Sequence, residues 1–462
     1  MATNSFIQVP PDGAGKKLFA QSHTIDGSSQ VVQAYHLADP DIPTQLQRVS
    51  YSGAATVGFS EGEASLDSFG NLRVSNATVL GYYDYVSDPQ DDLFWDRTTG
   101  TSAITHVADS SYLNLSVGSA SGDSATRSTT RYHFYQPGIG NLVIQTLALN
   151  DNGKTGNTRR WGYGDEKDAM FWELDGEWNN VLMNHFFVVI RSNVGGVVTE
   201  NRIPRINWNG DKIDGNGPSG FTLALTGRMF YWIDYAWLGV GPVRFGVLGS
   251  RGERITCHTF EHPAGAPVPY TTTGSLPLFW QNINTASTSG PSEMRSICSA
   301  IYAESAVDYN FWRFEDIESP PKTVTTDTPI LSMRPELTLS GKPNRTGIYP
   351  ECLQFIITGG NVKVSIVEDA TTLTGATWTV GGGGCTEGDI GATAIAGGSK
   401  FKSFYLAPGC HTIKIYDLYE TNDEGYHVYG DGLSAQTFSL VATKFDGTTV
   451  TVGASLSYRE LR

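Results

Sequence analysis

Four acidic side chains stand close together in the chain: Asp165, Glu166, Asp168 and Glu173. Two carboxylates about 5–9 Å apart form the arrangement that hydrolyses glycosidic bonds. Acids flanked by glycine ahead of a strand are more often turn formers, because an Asp side chain accepts hydrogen bonds from the backbone that follows it. The segment therefore predicts a turn, with glycan cleavage as the weaker alternative. The sequence has no phosphate-binding loop and no zincin motif.

Oxygen ligands for calcium could come from a loop rich in Asn, Asp and Gly, in which the candidates are Asp211 and Asp214. The loop does not have the spacing of an EF-hand, and tight turns require the same residue types. A weak calcium site is the only cofactor that we consider. His258 and His262 would lie about 13 Å apart along a strand, too far to share one ion, and we expect them to be structural.

The five cysteines are an odd number with no closely spaced pair, so they predict neither a zinc site nor a disulfide framework. We expect buried free thiols. A bridge from Cys410 to either Cys352 or Cys385 stays open as an alternative.

Aromatic residues are the strongest signal in the central part of the chain. In the segment from Tyr231 to Trp237, alternation places Tyr231, Ile233, Tyr235 and Trp237 on one face and Trp232 on the other. We expect one set to fill the core and the other to be covered by a partner subunit, although aromatic faces can also stack on sugars. The candidate core or interface aromatics are Trp172, Trp178, Tyr231, Trp232, Tyr235, Trp237 and Trp280.

Composition indicates the fold that must position these groups. The 462 residues include 52 Gly, 11% aromatic residues and only 17% charged residues, and Thr, Ser and Val are abundant. This composition is typical of short strands joined by tight turns, and it excludes an α-helical protein. The net charge of −15 and the absence of a basic stripe argue against nucleic acid. We also expect no signal peptide and no membrane insertion.

The order of strand and turn signals divides the chain into four parts. Residues 1–45 carry short extended pieces that cannot bury a core alone, and residues 46–318 predict a central β-sandwich of the jelly-roll or lectin-like kind. Residues 319–335 are rich in Pro and Thr and predict a linker. Residues 336–462 predict a smaller β-domain that closes with a hairpin around Phe445-Asp446-Gly447.

The first 45 residues could be an arm that docks on another protein by adding a strand to its sheet. The residues expected to make this contact are apolar or proline: Phe6, Ile7, Val9, Pro10, Pro11, Leu18 and Phe19.

Several motifs in residues 5–285 resemble virion structural proteins of tailed bacteriophages. They are Ile7-Gln8-Val9-Pro10-Pro11-Asp12 with Gly15-Lys16-Lys17, Phe69-Gly70-Asn71-Leu72-Arg73-Val74-Ser75, Gly162-Tyr163-Gly164-Asp165-Glu166-Lys167-Asp168, Gly217-Pro218-Ser219-Gly220 and the segment Ile233 to Gly241. The resemblance implies a β-rich particle component without an established enzymatic role.

The sequence thus predicts a non-enzymatic virion protein, assembled in the bacterial cytoplasm as a homotrimer and anchored to other virion proteins through its N-terminal arm. Its β-domains would face outward on a tail, baseplate or fibre and could contact a glycan or receptor of the host. The alternatives are a head decoration or neck protein, a glycan-degrading tailspike and a carbohydrate-binding module.

Overall fold

The computed structural model describes residues 4–7, 18–25, 28–33, 77–176, 185–262, 267–306, 312–415, 428–447 and 449–461. The chain divides into two compact units, residues 1–67 and residues 68–462. The sequence placed the end of the first part at residue 45. Residue 45 lies outside the described residues, so this boundary stays a prediction.

The first unit contains an antiparallel sheet of three strands, β1 (Asn4–Ile7), β2 (Leu18–Ile25) and β3 (Ser28–Gln33). In the register of β1 and β2, Phe6 pairs with Phe19 and Ile7 pairs with Leu18. These four residues of the predicted arm are therefore in strands. The other three, Val9, Pro10 and Pro11, lie outside the described residues.

The second unit begins with a sandwich of two antiparallel sheets. Its strands are β4 (Thr78–Asp84), β5 (Phe94–Thr99), β6 (Ser102–Val107), β7 (Tyr112–Val117), β8 (Ser124–Thr129), β9 (Asn141–Ala148), β10 (Asn157–Gly164), β11 (Ala169–Asp175), β12 (Phe186–Ser192), β13 (Thr199–Pro204), β14 (Met229–Tyr235), β15 (Val243–Leu248), β16 (Arg254–Phe260), β17 (Leu278–Asn284) and β18 (Ser292–Ala303). One sheet has the order β13-β12-β11-β10-β17-β8-β5. The other has the order β16-β15-β14-β9-β18-β7-β6, with β4 also paired to β18.

Alternation along the central strands builds the core between these two sheets. Tyr231, Ile233 and Tyr235 of β14 are buried in the core, as their spacing predicts. On the facing sheet, Trp161 of β10 is paired in register with Trp172 of β11 and with Trp280 of β17. The Trp161 ring meets the Tyr231 ring edge to face, with 4.9 Å between the ring centroids. The sheets therefore pack through a continuous aromatic layer.

A second sandwich follows, with its own hydrophobic core. Its strands are β19 (Trp312–Val324), β20 (Thr328–Pro335), β21 (Thr338–Leu339), β22 (Lys342–Pro343), β23 (Gly347–Thr358), β24 (Val362–Glu368), β25 (Thr372–Thr374), β26 (Thr379–Val380), β27 (Thr386–Asp389), β28 (Ala394–Ala396), β29 (Ser399–Leu406), β30 (Gly409–Lys414), β31 (Phe438–Lys444) and β32 (Val450–Leu461). The two large sheets have the orders β19-β32-β23-β30 and β26-β27-β20-β31-β24-β29.

Two sequence predictions about this region are wrong. Residues 319–335 are not a linker, because β19 and β20 occupy most of them. The register of β19 with β32 shifts between Ser319 and Lys322, so Pro320 and Pro321 fall in a bulge of an edge strand, a position that tolerates proline. β31 and β32 do not form a hairpin, because β31 pairs with β20 and β24 while β32 pairs with β19 and β23.

The all-β class predicted from the sequence is confirmed. In the described ranges, the helical segments are single 3₁₀ turns at Asp91–Leu93, Ala108–Ser110 and Arg205–Asn207. No helix in this part of the chain is long and apolar enough to cross a membrane.

Candidate functional site

The predicted acidic segment forms the turn between β10 and β11. The carboxylate of Asp165 accepts hydrogen bonds from the backbone N–H groups of Lys167 at 2.8 Å and Asp168 at 2.9 Å. Asp165 is therefore a turn former, in agreement with its position after Gly164.

Arg345 brings the second sandwich onto this turn. Its guanidinium donates to Asp165 Oδ2 at 2.8 Å, to Asp168 Oδ2 at 2.8 Å and to Thr272 Oγ1 at 2.9 Å. Asp168 is fully buried and also accepts hydrogen bonds from the backbone N–H groups of Asn193 and Thr272. These contacts make the turn an anchor between the two sandwiches.

The electrostatics of Asp168 follow from this geometry. Burial raises the pKa of its carboxyl group, but the hydrogen bonds from Thr272 and the charge of Arg345 outweigh burial and hold the pKa below its usual value. A general acid for glycoside hydrolysis needs a raised pKa. Asp168 has the opposite shift.

The other two acids are also separated from one another. Glu173 on β11 is fully buried and accepts hydrogen bonds from Arg160 Nε at 2.6 Å and Arg202 Nε at 2.9 Å. Glu166 is exposed at the tip of the turn. The contacts of Asp165, Asp168 and Glu173 thus favour structural ion pairing over a catalytic carboxylate pair.

The residues of the candidate calcium loop hold turns together. Asp211 accepts hydrogen bonds from the backbone N–H groups of Ile213 at 2.7 Å and Ser219 at 2.8 Å, and Asp214 accepts one from Asn216 at 2.9 Å. Within the described part of the chain, no group of three His, Cys, Asp or Glu side chains is arranged to hold a metal ion. Calcium at this loop stays a prediction.

The cysteines and histidines have structural surroundings. All five cysteines are free thiols, so the bridges from Cys410 to Cys352 or Cys385 are not formed; only Cys257 and Cys385 are buried, whereas Cys298 and Cys410 are exposed. The expectation that all five thiols are buried is therefore wrong. Nδ1 of His258 on β16 accepts a hydrogen bond from the backbone N–H of Asn209 at 3.2 Å, and burial lowers the pKa of His258 to about 4.

The predicted aromatic residues lie mainly inside the first sandwich. Trp172, Tyr231, Tyr235 and Trp280 are in its core, and Trp237 packs against the core while partly buried. Trp232 lies on the other face of β14, where its indole N–H donates to Val247 O at 3.1 Å. Trp178 lies outside the described residues. Since their rings are covered, the described members of this set support packing.

Two other aromatic rings are exposed together on the second sandwich. Tyr405 on β29 is 72% exposed and Phe445, which follows β31, is 70% exposed. Their ring centroids are 5.9 Å apart and the rings meet edge to face at 78°. No local sequence pattern joins these two residues, although the strand from Phe401 to Leu406 turns Phe401, Phe404 and Leu406 toward the core and leaves Tyr405 outward.

Polar groups fix the turn beside the Tyr405–Phe445 pair. The backbone N–H of Phe445 donates to Asn361 O at 3.0 Å. The Asn361 backbone N–H and side-chain amide each donate to the Asp446 carboxylate at 2.7 Å, and they hold the pKa of Asp446 below its usual value. The ionised carboxylate retains acceptor capacity for further donors, such as hydroxyl groups. We call Tyr405, Phe445, Asn361 and Asp446 the aromatic platform.

The sequence matches no protein-family model and no curated protein. Solved structures match about half of the chain. One is an endo-β-1,4-glucuronan lyase from Trichoderma reesei, which is 9% identical over 48% of this chain and 95% of its own, with a TM-score of 0.32. A β-glucanase from Bacillus licheniformis is 12% identical over 49% of this chain and 98% of its own, with a TM-score of 0.31. A legume lectin-like domain from Entamoeba histolytica is 10% identical over 50% of this chain and 100% of its own, with a TM-score of 0.29. Likenesses this low carry no information about activity or ligand.

Proposed function

We propose that this chain is a non-enzymatic saccharide-binding protein carried on the particle of a tailed bacteriophage, where its second sandwich contacts the host surface. The observation that carries the proposal is the aromatic platform. Single exposed aromatic residues are ordinary, but two rings in edge-to-face contact and both about 70% exposed leave a continuous apolar surface in water. The C–H groups of a pyranose ring fit the electron-rich face of an aromatic ring.

The neighbouring polar groups add hydrogen-bond acceptors to the apolar surface of the two rings. A saccharide presents hydroxyl groups around its apolar ring face, and Asp446 and Asn361 offer oxygen acceptors held in place by their mutual hydrogen bonds. Saccharide sites in this arrangement combine apolar contact with a few oriented polar groups. The exposed position of the platform suits a ligand that is part of a large surface polymer.

The particle association is supported by the resemblance of residues 5–285 to virion structural proteins. The separation of residues 1–67 as their own compact unit is compatible with an anchor. Mass spectrometry of purified particles, with immunogold labelling of the same particles, tests this part. Absence of the chain from the particles would leave a free saccharide-binding module as the function.

Binding and cleavage are separated by one set of measurements. The full chain is applied to a panel of bacterial surface saccharides, and both retention and release of reducing ends are measured. We expect retention without release, loss of retention in Tyr405→Ala and Phe445→Ala, and no change in Tyr82→Ala, which removes an equally exposed aromatic ring (71%) from the first sandwich. Release that is abolished by Asp168→Asn in a protein with an unchanged unfolding transition would instead establish the glycan-degrading alternative.

A further inference from the structure

The strands around the aromatic platform have a charge opposite to that of the whole chain. The protein carries 47 acidic and 32 basic residues, and 12 of the basic residues are lysines. Four of these lysines lie in β24, β29 and β31, three neighbouring strands of one sheet that contain a single acid, Glu368. The lysines are Lys363, Lys400, Lys402 and Lys444.

Strand register places part of this charge directly beside the platform. Lys363 of β24 is paired with Tyr405 of β29 on one side and with Thr443 of β31 on the other. Val362 and Val364 of the same strand are in the core, so Lys363 belongs to the outward face. A ligand stacked on Tyr405 would therefore lie within reach of the Lys363 ammonium group.

Lys400 extends the positive surface along β29. Its ammonium group lies 3.9 Å from Asp327 Oδ2, and both side chains are about half exposed. Asp327 also accepts a hydrogen bond from Thr443 Oγ1 at 2.6 Å, and this bond together with Lys400 and Lys363 holds the pKa of Asp327 below its usual value. The Lys400 pair is long and solvent-exposed, which makes it weak and open to exchange with a carboxylate of a ligand.

From this charge reversal we propose that the ligand of the platform is an anionic polysaccharide, one whose sugar units carry carboxylate groups. The inference rests on the proposed saccharide-binding function and adds the chemical class of the ligand. The rings would contact a sugar face, while Lys363 and Lys400 would pair with carboxylates of the same or adjacent units. The net negative charge of the chain disfavours an anionic polymer and leaves a neutral one unaffected, so the attraction for the carboxylates has to come from the lysines beside the platform.

Single-stranded nucleic acid is the rival polyanion, since it also combines stacking with basic contacts. A saccharide fits better, because nucleic-acid grooves present aromatic rings to successive bases, whereas the platform has one pair of rings.

The test is titration of the full chain with oligogalacturonate, with uncharged malto-oligosaccharide and with oligo(dT), each at low and at high salt. We expect binding of oligogalacturonate that weakens with salt. Lys363→Gln and Lys400→Gln should each reduce that affinity about three- to five-fold, the range for an exposed ion pair. Lys342→Gln, an exposed lysine of β22 in the same sandwich, should change nothing.

The outcomes separate this inference from the proposed function. Equal, salt-independent binding of both saccharides would overturn the anionic class and leave saccharide binding intact. Oligo(dT) binding without saccharide binding would overturn both. Loss of oligogalacturonate binding in Tyr405→Ala, together with an unchanged unfolding transition, would support the platform as the contact.

Discussion

Arg345 offers the sharpest prediction about stability, because one side chain joins the two sandwiches. We expect Arg345→Ala to leave the buried carboxylate of Asp168 without its charged partner. Removing one partner of a buried ion pair costs about 3–5 kcal/mol. Asp168 keeps its hydrogen bonds from Asn193 and Thr272, so the lower end, about 3 kcal/mol, is expected.

The pH dependence of this effect has a defined sign. The pKa of Asp168 in the folded wild-type protein is below its unfolded value, so its stabilising contribution is present above the unfolded pKa and is lost as pH falls through the folded pKa. Without Arg345 the carboxyl keeps its burial and loses a positive neighbour, so its folded pKa rises. The difference between wild type and variant should therefore be largest near pH 7 and should shrink below about pH 4.

The measurement is denaturant unfolding of both proteins across this pH range, followed by tryptophan fluorescence. Arg334→Ala is the matched control, because Arg334 pairs with Glu387 at 2.7 Å within the second sandwich and is partly exposed. Its cost should stay below about 1 kcal/mol. An Arg345→Ala variant as stable as Arg334→Ala at pH 7 would refute the anchoring role of the turn.

Three further predictions follow from contacts elsewhere. Gly246→Ala should lower the unfolding temperature strongly, since a Cβ there would lie 2.1 Å from the Trp232 ring and 2.3 Å from Ile255 O. Gly290→Ala is the control and should leave the unfolding temperature nearly unchanged, because no atom lies within 4 Å of its Cβ. Equal shifts in the two variants would contradict this packing. Under native conditions a thiol reagent should label the exposed Cys298 and Cys410 quickly, and the buried Cys257 and Cys385 only after unfolding. Burial hides the sulfurs of Cys257 and Cys385 and raises the pKa of the Cys257 thiol. Fast labelling of these two buried thiols in the folded protein would contradict the prediction. Tyr405→Ala should change the free energy of unfolding, measured by thermal denaturation, by no more than about 0.5 kcal/mol, since the Tyr405 side chain is mostly exposed to water.

Local patterns predicted the strands whose side chains alternate. The apolar run from Leu142 to Leu149 matches β9 with both ends shifted by one residue, since the strand spans Asn141–Ala148. The alternation from Tyr231 to Tyr235 correctly separates the core face of β14 from the face of Trp232. These features depend on residues two apart in the chain, so the sequence displays them directly.

Long-range pairing could not be predicted in the same way. Pro320 and Pro321 suggest a linker when only the local sequence is considered. In the structure they lie within β19, which pairs with β32, a strand more than a hundred residues later in the chain. The partner of Asp165 and Asp168 is Arg345, which lies in the other sandwich and has no local signal that links it to them. The exposure of Tyr405 could be predicted from the sequence, since it alternates with apolar residues in β29. Its contact with Phe445 could not, because the two residues are brought together only by the fold.

The proposed function depends on saccharide binding by the Tyr405–Phe445 pair. Its most direct test is isothermal titration of the full chain and of Tyr405→Ala with the best-retained saccharide of the panel, with Tyr82→Ala as the control. We expect at least a ten-fold loss of affinity in Tyr405→Ala, which is about 1.4 kcal/mol of binding free energy, and unchanged affinity in Tyr82→Ala. Equal affinity in all three proteins would contradict it.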